Sequence, residues 1–347
     1  MHTLREWRMP QAEQVAGETE LWEEATRPGP RPGPRPGPRI AVLVPCYNEE
    51  VAIPRVVAAF RSALPEAIVY VYDNNSGDRT AEVAAAAGAV VRREAQQGKG
   101  HVVRRMLADI EADVYVMADG DDTYDATDAP AMIRLLLDGR LDMVTGVRVT
   151  EATAAYRRGH RFGNRALTGM MGAVFGNRVS DMLSGYRVFS RRFAKSFPAL
   201  ASGFETETEF TVHALELRLP VGEMPTAYRE RPPGSHSKLN TWRDGFRILR
   251  MLALLVRRER PLGFFAGVAL ALALLSFGLA VPLLQTWLET GLVPRLPTAV
   301  LSTGLMLLSF LSLACGLILD TVTRGRLEAK RMAYLAIPAP DFRLPPR

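Results

Sequence analysis

The sequence predicts an α/β domain built on a mostly parallel sheet, followed by a C-terminal hairpin of two transmembrane helices. Three observations carry this expectation. Short β-rich runs alternate with helical stretches from Ile40 to Ala118, several of those runs end in polar, turn-forming clusters, and two long uncharged apolar runs lie beyond Pro261. Strand and helix alternating over short connections is the pattern of a parallel sheet covered by helices. An apolar run of about 20 residues is long enough to cross a bilayer core.

The chain of 347 residues is 48% hydrophobic and 23% charged, with a formal net charge of +6. That length suits one large domain with additions or two modest ones. Its two cysteines, Cys46 and Cys315, are far apart, which excludes a disulfide-stapled secreted module and fits a reducing compartment. Residues 1–39 begin with a polar, mixed-charge stretch that lacks the apolar segment of a secretory signal. They continue into a Pro-Gly-Arg repeat from Arg27 to Arg39. Proline this dense removes backbone donors and blocks helix, so an extended mobile arm is expected. Its arginines read as a solvated linker, and no nucleic-acid partner is expected.

Ile40 to Val44 is a buried-type strand ending at Pro45, and residues 49–63 read as a helix with Val51, Ile53, Val56, Val57 and Phe60 on its apolar side. Ala67 to Tyr72 is a second strand, Thr80 to Ala87 a short helix closed by Gly88, and Ala89 to Val91 a third strand. Gly100 to Ile110 reads as another helix and Asp113 to Ala118 as a fourth strand. This domain is expected to occupy residues 40–240. Residues 241–260 mix arginines and apolar positions at helical spacing, as an amphipathic juxtamembrane helix would, with its basic side toward lipid headgroups.

Two spans follow within 261–320, Leu262 to Leu284 and Pro297 to Leu319, joined by a loop at 285–296. Arg243, Arg247, Arg250, Arg257, Arg258 and Arg260 precede them; Arg324, Arg326, Lys330 and Arg331 follow. Positive flanks mark the cytoplasmic side. The α/β domain, both termini and a tail at 321–347 are therefore expected in the cytoplasm, at the inner (plasma) membrane.

In open α/β sheets, ligands bind beyond the carboxyl ends of the strands. Three polar loops sit at such ends: Pro45 to Glu50, Asp73 to Asp78 and Asp119 to Asp122. The first lacks the G-x-G-x-x-G of a dinucleotide site, and Gln97-Gly-Lys-Gly100 lacks Walker A spacing, so dehydrogenase and P-loop chemistry are excluded. Asp119 and Asp121 place two hard carboxylates on one turn, suited to a divalent cation that offsets charge on a departing diphosphate. The histidines show no paired ligand spacing, which argues against zinc. Cys46 has no histidine neighbour and reads as a small buried residue.

Taken in order, Val44 to Glu50, Tyr72 to Thr80, Gly98-Lys-Gly100, Met117 to Tyr124, Gly146-Val-Arg148, Asp181 to Arg187 and Gly234 to Lys238 resemble the family two glycosyltransferases of GT-A fold. With the hairpin, the chain is similar to the polyprenyl-phosphate branch that includes dolichol-phosphate mannose synthase. The resemblance spans roughly residues 40–260. It implies a nucleotide-diphosphate sugar donor bordered by Pro45, Tyr47 and Glu49, with Asp73 at the base and Lys99 and Asp119 nearby. It implies Mg²⁺ or Mn²⁺ on Asp119 and Asp121, and a polyprenyl phosphate acceptor at the membrane lipids. Asn74 stands where the family commonly has a second acid, and Thr123 where mannose synthases differ, so the base and the sugar stay open.

A polyprenyl phosphate brings its own ionised nucleophile, so the site needs cations more than a base. Arg148, Arg161, Arg187 and Lys238 are the candidates for the acceptor phosphate, and Asp121, Arg148, Asp181 and Lys238 form the expected catalytic group. Glu209 matches a family glutamate that would orient an acceptor-side arginine, among the alternating acids Glu205, Glu207 and Glu209. Alternatives are transfer to another acceptor, with Asp122 or Asp125 as base, and an inactive nucleotide-sugar binder at the membrane. A processive polysaccharide synthase is disfavoured because Q-x-x-R-W is missing. A homo-oligomer is compatible with all of these.

Overall fold

The computed structural model describes residues 37–149, 180–201, 203, 205–229, 261–338 and 340. Residues 1–36 of the expected arm at 1–39, the amphipathic helix at 241–260, Arg161, Lys238 and the final residues 341–347 lie outside the described residues.

The α/β domain alternates β1 (Ile40–Cys46), α1 (Ile53–Ala63), β2 (Ile68–Asp73), α2 (Thr80–Ala86), β3 (Val90–Arg93), α3 (Lys99–Asp109) and β4 (Val114–Met117). A short 3-10 turn at Ala126–Asp128 leads into α4 (Ala129–Asp138) and β5 (Met143–Val149). After the gap come β6 (Arg187–Ser190), α5 (Arg191–Ser196), α6 (Thr206–Leu217) and β7 (Val221–Ala227). The strands form one sheet in the order β3-β2-β1-β4-β6-β5-β7. β1 pairs in parallel with β2 and β4, β2 with β3, and β5 with β7; β6 runs antiparallel to both β4 and β5.

Side chains alternate across a strand, so β1 feeds both faces of the sheet. Val42, Val44 and Cys46 join a core with Ile53, Val57 and Phe60 of α1 and Met132 and Leu136 of α4. Ala41 and Leu43 join the opposite core with Val102, Val103 and Met106 of α3 and Phe189, Phe193 and Phe210. Both faces being covered explains why β1 and β4 read as unbroken apolar runs.

Two further helices, α7 (Pro261–Thr290) and α8 (Leu296–Leu335), are long and apolar enough to cross a membrane. Their apolar side chains mostly point outward: Leu270, Leu274, Phe277, Leu308, Phe310 and Ile318 are all more than half exposed, the reverse of a soluble core helix. Serines stitch the two together. Ser276 Oγ donates to Ser302 O at 2.7 Å and Ser302 Oγ returns the bond to Ser276 O at 2.9 Å, while Ser309 and Ser312 donate to Ala269 O and Phe265 O. Small and hydroxylic residues at such a seam are what apolar surroundings demand. The connection spans only 291–295, and α8 runs on well past Leu319, where the apolar run ends.

Candidate active site

Three loops leave β1, β2 and β4 at their carboxyl ends, and each turns through one residue with positive φ: Asn48 (54°), Asn75 (62°) and Asp122 (61°). Asn and Asp tolerate this left-handed conformation better than other side-chain-bearing residues. The first two loops are laced together. Asn48 N donates to Ser76 Oγ and Gly77 N to Asn48 Oδ1; Glu49 N donates to Thr80 Oγ1, and Arg79 N to Glu50 Oε2. Asp73 is buried and accepts from Ser76 N. Pro45, Tyr47, Glu49 and Asp73, the expected donor residues, are thus gathered at adjacent strand ends, with Tyr47 exposed.

Asn74 explains its own departure from an acid. Its Nδ2 donates to Glu94 O (3.0 Å) and Gln96 O (2.7 Å), and its Oδ1 accepts from Gly98 N (2.7 Å). Gly98 has φ of 136°, a conformation suited to glycine, and starts α3. An amide supplies two N–H donors and a carbonyl acceptor to that loop, where an ionised carboxylate has acceptors alone. Asn74 is thereby a clamp on the segment that delivers Lys99.

Lys99 Nζ lies 2.5 Å from Asp119 Oδ1 and also contacts Glu207 at the first turn of α6. Burial alone would discharge this amine, but Asp119 and Glu207 outweigh it and raise its pKa, keeping it charged. Glu207 is the residue that sequence reasoning missed. Glu209, chosen there, instead accepts from Leu200 N and Ala201 N at 2.9 Å each and braces the preceding chain.

Asp119 is partly exposed and Asp121 buried, both on the turn after β4. Asp121 Oδ1 accepts from Thr123 Oγ1 (2.6 Å) and Thr123 N. Two glycines make the turn possible. A Cβ at Gly120 would sit 2.5 Å from Cys46 Sγ, and one at Gly185 would sit 2.5 Å from Asp119 Oδ2. Cys46 is buried, and burial together with Glu49, Asp73, Asp119 and Asp121 pushes its thiol well up, so it is a neutral packing group. Among the described residues, no three acidic, histidine or cysteine side chains cluster to hold a metal by themselves. Two hard carboxylates fit a divalent cation as part of a shell completed by phosphate oxygens and water.

On the far side of the turn, Arg148 at the end of β5 grips Asp181 with two parallel bonds, Nε to Oδ2 and Nη2 to Oδ1, each 2.8 Å. Burial would raise the Asp181 carboxyl, but Arg148 holds it below its ordinary range. The Arg148 guanidinium also covers the Tyr228 ring, 5.5 Å from its centroid. Ser184 Oγ donates to Gly146 O at 2.6 Å, tying these two segments, and Gly185 N donates to Tyr124 OH.

Arg187 departs from expectation. It is fully buried, and its guanidinium donates to Ser184 O, Met182 O and Thr211 Oγ1. Burial lowers its pKa to about 10. With its donors turned to the protein interior, it braces the loop before β6 and does not present itself to a phosphate. The candidate bases are likewise engaged: Asp122 pairs with Arg55 Nε at 3.0 Å, and Asp125 accepts from Thr127 N and Oγ1 and pairs with Arg229.

Several known proteins are similar to this chain. The model of "Glycosyl transferase family 2" matches residues 41–197. Glycosyltransferase AglJ of Haloferax volcanii is 34% identical over 269 residues, 77% of this chain and 88% of its own. An uncharacterized protein of Shigella flexneri is 53% identical over 155 residues, 45% of this chain and 95% of its own. The dolichyl-phosphate hexose transferase of Haloferax volcanii is 29% identical over 64% of this chain and 95% of its own. Among solved structures, Mycobacterium tuberculosis glucosyl-3-phosphoglycerate synthase superposes with a TM-score of 0.52 at 24% identity, covering 63% of this chain and 80% of that one. The same enzyme with Mn²⁺, UDP-glucose and phosphoglyceric acid gives 0.52 at 23%, covering 72% and 85%. The shared fold is GT-A.

Proposed function

The chain belongs to glycosyl transferase family 2, and from that premise we propose that it transfers a single sugar from a nucleotide-diphosphate donor to a polyprenyl phosphate at the cytoplasmic face of the membrane. The observation that carries the acceptor reading is the state of the two carboxylates beside the D-x-D turn. Asp122 and Asp125 are each paired to an arginine, which suits an acceptor that arrives already ionised and needs no base. Two outward-apolar helices long enough to cross a membrane support a membrane-side acceptor, and the name of the Haloferax dolichyl-phosphate hexose transferase agrees in kind.

In this reading the nucleotide lies along the laced loops, bordered by Pro45, Tyr47 and Glu49, with Asp73 at the base. Lys99 stands by the diphosphate, held charged by Asp119 and Glu207. A divalent cation, Mg²⁺ or Mn²⁺, would sit on Asp121 with Asp119 and offset charge on the departing diphosphate. A lipid phosphate oxygen bonds to the anomeric carbon as the bond to the diphosphate breaks, the electron pair leaves with the nucleoside diphosphate, and the configuration inverts. Arg148, fixed by Asp181, and Arg161 and Lys238 beyond the described residues are the proposed cations for the acceptor phosphate. Holding two anions in line and in place does most of the catalysis.

The test uses the full chain in detergent with undecaprenyl phosphate, Mg²⁺ or Mn²⁺, and a panel of UDP-, GDP- and dTDP-sugars, following nucleoside diphosphate and glycolipid. Lipid-dependent turnover of one donor, lost in Asp121→Ala, is the expected result. Donor binding with no glycolipid across the panel overturns the acceptor reading.

A further inference from the structure

α8 does not stop where its apolar stretch stops. From Asp320 it continues unbroken to Leu335 and lies against the α/β domain. Leu327 and Tyr334 pack on the core that holds Phe189, Phe193 and Phe210. Lys330 Nζ donates to Glu216 Oε2 at 2.5 Å, and Tyr334 OH to Asp142 Oδ2 at 3.0 Å. Arg192 Nε donates to Ile337 O just past the helix, and the same guanidinium covers the Tyr334 ring. Leu327, Lys330 and Tyr334 fall at i, i+3 and i+7, which is one face of a helix. Helix α6 is consequently held at both ends, by Lys99 on Glu207 and by Lys330 on Glu216.

A continuous helix is a ruler. At 1.5 Å per residue, Lys330 stands roughly 15 Å beyond Asp320, the first charge after the apolar stretch. We infer that Lys330 and Tyr334 are positioning residues: by docking α8 on the α/β domain they set the height and aspect at which the site meets an acceptor anchored in the bilayer. The inference rests on the lipid-phosphate reading above. Donor binding does not depend on this docking distance, whereas reach to a membrane-anchored phosphate does.

The ruler can be lengthened without turning it. Seven alanines inserted between Arg324 and Gly325 of the full chain add roughly 10 Å and return Leu327, Lys330 and Tyr334 to nearly the same face. A Cβ at Gly325 would have nothing within 4 Å, so the insertion point lies on an open stretch of the helix. The chain is reconstituted in liposomes with undecaprenyl phosphate, and in parallel offered a short, water-soluble prenyl phosphate. The expected result is unchanged donor Kd, near-normal transfer to the soluble acceptor, and at least a tenfold loss with the liposomal one. Equal transfer to both overturns the inference. Wild-type chain that glycosylates neither acceptor overturns the lipid-phosphate reading and the inference with it. A second arm guards against misfolding: Lys330→Glu and Glu216→Lys each lower liposomal transfer, and the double variant restores it. Single variants with full liposomal transfer overturn the inference.

Discussion

The missing side chain of Gly185 is the space that Asp119 occupies: a Cβ there would lie 2.5 Å from Oδ2 of the carboxylate. The glycine of the segment leading into β6 therefore shapes the first acid of the D-x-D turn, although the two are far apart in sequence. Its N–H is fixed by Tyr124 OH at 2.9 Å, so the backbone has little freedom to retreat.

Gly185→Ala accordingly displaces the Asp119 carboxylate that Lys99 holds through Oδ1. Overpacking of this kind costs about 1–3 kcal/mol. Donor affinity measured calorimetrically with Mn²⁺ present is expected to fall at least tenfold, with a melting temperature lower by a few degrees.

Glu207→Gln and Glu209→Gln separate two neighbouring acids. The first leaves Lys99 with Asp119 as its one charged partner among these groups, and turnover is expected to fall at least tenfold with little change in stability. The second weakens acceptance from two backbone N–H groups, costing about 1 kcal/mol, with turnover within about threefold of wild type. Parallel kinetics and thermal melts check both.

Asn74→Asp turns a donor amide into a carboxylate facing Glu94 O and Gln96 O. Repulsion there unseats the start of α3. Donor binding should weaken by more than tenfold, and hydrogen exchange across residues 94–99 should quicken.

Gly120→Ala collides with Cys46 Sγ, and Cys46→Ala removes that sulfur. The first is expected to destabilise by about 1–3 kcal/mol; the double variant should recover much of the loss, a coupling read from a denaturant cycle. In the Cys315→Ser background, Cys46 should resist alkylation at pH 8, as its burial and raised pKa require.

The Arg148–Asp181 pair predicts one part of the acid limb of stability. Asp181 is held below its ordinary value of about 3.9. Its contribution is complete above that value and is lost as pH falls through the lower folded one. Melting temperature followed from pH 5 downward should fall less steeply in Asp181→Asn than in wild type.

The strands β1, β2 and β4 and the loops that close them were legible because these strands are mostly apolar and each loop carries its turn chemistry in plain residues; the edge strand β3 was marked by Val90 and Val91 after Gly88. The elements between β4 and the hairpin and the end of α8 were not read, and three features show why. β6 was hidden behind the polar motif Ser-Gly-Tyr-Arg that runs into it, because Arg187 occupies a core position and finds its partners in Ser184 O, Met182 O and Thr211 Oγ1, which no sequence pattern marks. Glu207 and Glu209 are equivalent on paper; two positions apart on a helix they face nearly opposite ways, and only the phase of α6 decides which meets Lys99. The run of α8 past Leu319 was hidden because its docking face mixes Leu327, Lys330 and Tyr334, a pattern as charged as any solvated tail.

β6 enters the sheet against the direction of its neighbours, so the segment preceding it, and not the one following, arrives beside Asp119. The rim is built from the exits of β1, β2, β4 and β5 and from the entrance to β6, supplied by chain after residue 180. In a diverging lineage these two stretches can drift at different rates. Under the proposed function, substitutions after Ser180 would alter the acceptor side while the loops before Tyr124 keep the donor side, with Gly185 and Asp119 as the point where the two must stay in step.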